Sequence, residues 1–336
     1  MRKAWVLLAL GMIIALLLSA CGTKNEKEVV KELGDRLNSL QSYRAQMDLV
    51  LETGETPHQF AVEVWHKQPD YYRVSLTHKE RNLTQIILKN DEGVFVLTPH
   101  LNKSFRFQSN WPGNQPQVYL YESLVKDILM DENRQFTVED DQYVFDTAAN
   151  YHNKNIHHQR IWLDKDLKPV QVHMMDADFN VLIRVHFNEV QFDYAFDESD
   201  FDLQRNMEQQ SGKEEDESSP TSSDGEKRSL GAFYPSYLPA GVELVEEKEV
   251  SQDGEPRLIL RFESEEYRFS LTQKHAEAEM VSMPDGEPVD LGFTVGVLAG
   301  QSLMWTYDGV DFWLNGDLPR EEMIAIARSV EGQANK

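Results

Sequence analysis

Phe60-Ala61-Val62-Glu63-Val64-Trp65, then Gln68-Pro69-Asp70, then Tyr71-Tyr72-Arg73-Val74-Ser75-Leu76, is the stretch that decides the fold. Apolar and polar residues alternate on both sides of a proline-marked turn. Alternation with period two places Phe60, Val62 and Val64 on one face of a strand, and Tyr72, Val74 and Leu76 on one face of the next. Working outward, residues 83–88 and 94–97 read as strands around the turn signal Asn90-Asp91-Glu92-Gly93. Phe105 and Phe107 give another short alternation. Residues 117–130 change period: Leu120, Leu124 and Ile128, with Tyr121 and Val125, predict a helix. Strands resume at 135–138, 143–146, 158–163, 170–174 and 181–188, with aspartate-rich turns at 164–166 and 176–178. Upstream, Val29, Val30, Leu33, Leu37 and Leu40 share one helical face over residues 26–40. Short strands with local connections predict an antiparallel sheet rather than a βαβ array.

Residues 206–229 break this pattern. They contain Gly212-Lys213-Glu214-Glu215-Asp216-Glu217-Ser218-Ser219-Pro220 and almost no apolar side chain, which reads as an acidic disordered linker. A second unit, 230–332, begins near Tyr237-Leu238-Pro239-Ala240-Gly241-Val242. Its alternating strands include a hairpin over 304–315 that turns at Asp308-Gly309. Met323, Ile326, Ala327 and Val330 then share the face of a closing helix. This is a small α+β domain.

The chain opens with Met1-Arg2-Lys3 and an apolar run to Leu18, too short for a comfortable membrane span. Leu18-Ser19-Ala20-Cys21 follows, and looks like a bacterial lipobox. Residues 1–20 are then a lipoprotein signal peptide, and the domain of residues 21–205 begins at Cys21, whose thiol carries a diacylglycerol. Two acyl chains, at ~0.8 kcal/mol per buried methylene, give a stable anchor. The expected location is the extracytoplasmic face of the cell membrane, the forespore envelope included.

The whole chain has 336 residues, 33 Lys+Arg against 57 Asp+Glu and a formal charge of −24. Such a chain lacks the basic stripe that nucleic acid requires. Its single cysteine excludes an internal disulfide and a CxxC pair. Enzyme signatures are thin. Ser123 and Lys126 match SxxK without the companion motifs of that chemistry. His152, His157 and His158 cluster near Asp146 and Asp164, but adjacent residues on a strand point to opposite faces, so a polar hairpin loop explains them better than a metal site. The aspartate pairs 140/141, 164/166 and 176/178 fall in turns, where local hydrogen bonding favours Asp. No catalytic residue, metal or cofactor is expected. The anomaly is the aromatic load read onto the strands: Trp65, Tyr71, Tyr72, Phe95, Phe105, Phe107, Trp111, Tyr119, Tyr121 and Trp162.

With these residues in view, residues 26–205 resemble the LolA/LppX-type lipoprotein and lipid carriers, and more closely the sporulation and germination lipoproteins of spore-forming Gram-positive bacteria. The resemblance rests on the opening helix ending Leu37-Asn38-Ser39-Leu40-Gln41-Ser42-Tyr43, on the strand block 63–74, on Asn90 to Leu97, on Arg160-Ile161-Trp162-Leu163-Asp164 and on Phe187-Asn188-Glu189-Val190. It implies a half-open antiparallel β-barrel with helices in its concave mouth, binding acyl chains of a lipid or lipoprotein without catalysis. The second unit, through residues 237–242 and Trp305-Thr306-Tyr307-Asp308-Gly309-Val310, is similar to the C-terminal domains of RseB/MucB-type sensors. That likeness implies an envelope protein partner. The expected apolar lining is Phe60, Val62, Val64, Tyr72, Val74, Leu76, Phe95, Leu97, Ile161 and Leu163, under a lid helix carrying Leu120, Leu124 and Ile128. The competing expectation is a scaffold whose barrel is filled by its own side chains.

Overall fold

The computed structural model describes residues 24–52, 57–113, 117–151, 155–211, 232–252, 255–291 and 294–330. The lipobox, Cys21, His152 and the whole acidic stretch 212–229 lie outside them. Helix α1 (Glu26–Ser39) starts on a reciprocal cap between Asn25 and Glu28. Strands β1 (Ser42–Leu51), β2 (His58–Lys67), β3 (Tyr71–His78), β4 (Leu83–Asn90), β5 (Gly93–Thr98) and β6 (Lys103–Gln108) follow as an antiparallel meander. After α2 (Tyr121–Met130) come β7 (Gln135–Glu139), β8 (Gln142–Ala148), β9 (His158–Leu163), β10 (Pro169–Met175) and β11 (Val181–Phe192). The two halves join where β1 pairs with β11, and a register shift at Gln46/Met47 bends the sheet there.

The aspartate turns work as their residue type predicts. Asp164 accepts from the amides of Asp166 and Lys168, and Asp176 from those of Asp178 and Asn180, while Leu167 and Phe179 take positive φ. Gly93 closes the β4–β5 turn at φ +140°, where a Cβ would meet the Phe107 carbonyl oxygen at 2.9 Å.

Beyond β11, a 3-10 turn (Glu198–Phe201) leads into helix α3 (Leu203–Ser211). The stretch expected to be linker from residue 206 therefore begins as helix. Asn206 is buried and accepts from Arg73 Nε at 2.6 Å, and Met207 packs on the sheet. An apolar turn tied to the sheet keeps this segment folded where composition alone reads as disorder.

The second sheet runs β12 (Glu243–Gln252), β13 (Glu255–Glu263), β14 (Arg268–His275), β19 (Val310–Gly316), β18 (Ser302–Tyr307), β17 (Val295–Ala299) and β16 (Glu287–Asp290), with α4 (Arg320–Arg328) on its core. Trp305 and Phe312 stack at its centre, 5.0 Å apart. The β18–β19 turn has positive φ at both Asp308 and Gly309, the two-residue geometry that matches strand twist.

The two sheets are joined more closely than a linker alone would allow. Strand β15 (Met280–Asp285) leaves the second unit and pairs parallel with β6, becoming the twelfth strand of the first sheet. Lys103 on β6 is fully buried at this junction. Its ammonium donates to Asp311 of β19 at 2.6 Å and to Glu279 at 2.7 Å. Gln85 accepts from Thr294 and from the Val295 amide across the same seam. Lys103→Ala should cost about 3–5 kcal/mol in urea denaturation, because it strands the buried Asp311 carboxylate. Replacing Asp311 with Leu in the Lys103→Met background should recover much of that loss.

Candidate functional site

The strand registers build one continuous apolar face. Directly paired residues share a face. Phe136, Phe145, Ile161, Val172, Val185, Leu49 and Phe60 therefore form one row across β7 to β2. Val190, Ala45, Val64, Val74, Ile87, Val96 and Phe105 form a second row, from β11 to β6. Helices α1 and α2 lie over this surface. Val29 and Leu33 of α1 join Leu124, Val125 and Ile128 of α2 in the same buried cluster.

Of the predicted lining, Phe60, Val62, Val64, Tyr72, Val74, Ile161 and Leu163 are buried in this cluster and Leu76 packs against its edge, with Leu120, Leu124 and Ile128 as the helical side. Phe95 and Leu97 do not belong. They point to the opposite face and pack with Ile86, Leu88 and Phe201. Their neighbours Val94 and Val96 are the inward residues of β5. The cause is a second cover. The turn at Phe201 and helix α3 bury the outer face of β3–β5, so β5 is apolar at every position from 94 to 97 and alternation cannot choose a face.

Three polar side chains of the sheet converge on one carboxylate of α2. The hydroxyls of Tyr43 and Tyr72 donate to the two oxygens of Glu122 at 2.8 and 3.0 Å. His66 Nε2 lies 3.5 Å from Glu122, its Nδ1 lies 3.2 Å from the Tyr71 carbonyl oxygen, and its ring stacks on Tyr72. The Tyr121 amide donates back to the Tyr43 hydroxyl at 3.3 Å. Burial, reinforced by Glu122, drives both tyrosine hydroxyls above their ordinary range, so they remain donors. Burial pulls His66 down despite Glu122 beside it, favouring the neutral ring.

Asp127, also on α2, is buried against the sheet, where Gln159 Nε2 donates to it at 3.3 Å. Burial pushes its carboxyl up to about 7, outweighing that bond. Neither carboxylate stood out in the sequence. Asp127 follows Leu124 by three residues, a spacing that does place it on the apolar face. The Glu122 partners sit on β1 to β3, with the tyrosines 79 and 50 positions from Glu122 in sequence.

The other sequence candidates occupy ordinary positions. Ser123 Oγ accepts from the Gln117 amide, and Lys126 is exposed. The Asp146 carboxylate is held by Arg160, and His158 stacks on Phe179 at 4.1 Å. Among the described residues no three His, Cys, Asp or Glu side chains gather as a metal site. At the seam between the sheets, a small cavity of about 50 Å³ is bordered by Phe60, His78, Arg81, His100 and Tyr307. It has room for a few waters at most.

A family model described as sporulation protein YdcC-like matches residues 1–201, and one for a domain of unknown function matches residues 275–330. Sporulation protein YdcC of Bacillus subtilis (strain 168) is 42% identical over 341 residues, covering 100% of this chain and 99% of that protein. Among solved structures, the Pseudomonas aeruginosa MucA/MucB complex matches at 15% identity and TM-score 0.32, over 91% of this chain and 99% of that one. A LolA superfamily protein from Nitrosomonas europaea matches at 10% identity and TM-score 0.28, over 53% and 97%.

The raised Asp127 carboxyl carries a pH signature. Its unfolded value is near 4. Between pH 4 and 7 the folded chain therefore holds a proton that the unfolded chain has lost, and stability falls as pH rises through that window. Asp127→Asn should flatten this slope and gain of order 2 kcal/mol at pH 8. Thermal denaturation across pH 4–8 checks it; an unchanged slope would mean that the carboxyl titrates near its ordinary value.

Proposed function

The chain belongs to the YdcC-like sporulation protein family, and we propose that it serves there as a membrane-anchored, extracytoplasmic lipoprotein whose half-barrel takes up the acyl chains of a lipid or another lipoprotein, without catalysing a reaction. The carrying observation is the continuous inner apolar face, covered by two helices, one of which a carboxylate clasp ties to the sheet. An acyl chain leaving a bilayer forfeits ~0.8 kcal/mol per methylene, so a receiving surface must be as apolar and continuous as this one. In the conformation described, Leu124 and Ile128 of α2 lie against that face. Uptake on this reading requires α2 to lift, exchanging side-chain contacts for chain contacts while the two hydroxyl bonds at Glu122 open.

Leu18-Ser19-Ala20-Cys21 supports the anchor, and the relative's name supports a role in the spore-forming cell. A face already filled by its own helices also suits a scaffold, with the C-terminal unit holding a protein partner; that is the second reading.

A charge on the face separates the two. Val74→Asp, checked for native near-UV circular dichroism, should weaken binding of a fluorescent fatty acid at least ~30-fold, because a carboxylate there must be desolvated. Glu122→Ala should speed uptake by releasing the clasp. Unchanged affinity in folded Val74→Asp would sink this register, and no uptake by the wild type would favour the scaffold.

A further inference from the structure

The start of helix α1 orients the domain. The Lys24 amide donates to the Tyr143 hydroxyl of β8 at 3.3 Å, and Glu26 pairs with Arg134 at 3.0 Å. The first turn of α1 is thus fastened along β7 and β8, at the open edge of the first sheet. Cys21 precedes Lys24 by three residues, about 10 Å of extended chain. An acylated Cys21 holds this edge within that distance of its membrane.

This same edge carries two exposed apolar side chains. Met130, the last residue of α2, is 72% exposed, and Val138 on β7 is 40% exposed. Asp131 accepts from the Ala148 amide and from Arg134, and Arg134 reaches Glu26, so Met130 is tied to the start of α1. Phe136, half-buried, stacks on Tyr143. Two side chains are too few to hold a free domain on a bilayer, but a tether of three residues supplies the local concentration. Neighbouring Glu132 and Glu139 give no electrostatic attraction to anionic lipid, which leaves apolar contact as the driving term.

We propose that the β7–β8 edge rests on the bilayer that holds Cys21, with Met130 and Val138 in its interface and the C-terminal end of α2 facing the lipid. This inference rests on the anchoring reading above. It places the end of the covering helix where a chain would enter from the membrane.

The test uses the acylated protein on vesicles of phosphatidylcholine and phosphatidylglycerol in equal parts. With Cys21 acylated, Met130→Cys or Val138→Cys presents the only free thiol for an environment-sensitive fluorophore. Met280→Cys is the control: Met280 is 66% exposed on β15, the opposite edge of the same sheet. Nitroxide lipids should quench positions 130 and 138 by about twofold or more, as for side chains ~5–10 Å into the interface, and leave 280 near its unquenched level. Equal quenching at all three positions, or none at 130 and 138 on floating protein, would overturn this surface. Protein that fails to float with the vesicles would overturn the anchor, and this surface with it.

Discussion

A curved sheet with one unbroken apolar face must cover that face, and the rest of this structure follows from how it does so. Helices α1 and α2 supply the cover with Val29, Leu33, Leu124, Val125 and Ile128. Dispersion and apolar burial hold them there without direction. Direction comes from Glu122, gripped by the hydroxyls of Tyr43 and Tyr72 with His66 on the strand between them beside it. A carboxylate with two hydroxyl donors in a water-poor setting is strong when closed and costly when half open. On the proposed uptake reading, the clasp favours two states of α2, docked or lifted, over a gradual loosening.

The second constraint is the seam. Lys103 between Asp311 and Glu279, Gln85 under Thr294 and Val295, and β15 along β6 make the C-terminal unit part of the wall of the first. β15 covers an edge that would otherwise present unpaired backbone groups. A partner gripping the second sheet would pull directly on β6, whose Phe105 and Phe107 belong to the concave core. The two proposed modes of action, acyl uptake and partner contact, are in this sense mechanically joined.

Much of this layout was legible. The period-two pattern of 60–65 and 72–76 placed the right residues inward, and the period change at 120–128 found α2. Aspartates in the β9–β10 and β10–β11 turns behaved as turn residues. What escaped were features set by tertiary cover. β5 is buried on both sides, so nothing in 94–97 distinguishes Val96 from Phe95. Residues 203–211 are polar in bulk and fold because Asn206 meets Arg73 and Met207 meets the sheet. β15 contains Pro284 and pairs parallel with a strand some 176 positions away in sequence, as the Lys103–Glu279 bond shows; no local pattern encodes such a partner. The Glu122 clasp is drawn from four separate elements, and only the helix face of Asp127 left a trace in spacing.

The central claim is that the apolar face exists to receive chains from outside the protein. Native mass spectrometry of the mature protein, produced without its acyl anchor in a spore-forming host and released gently from solution, tests it most directly. The account predicts a population carrying one added mass in the range of a fatty acid or phospholipid, released when the protein is denatured. A single unliganded mass would contradict it.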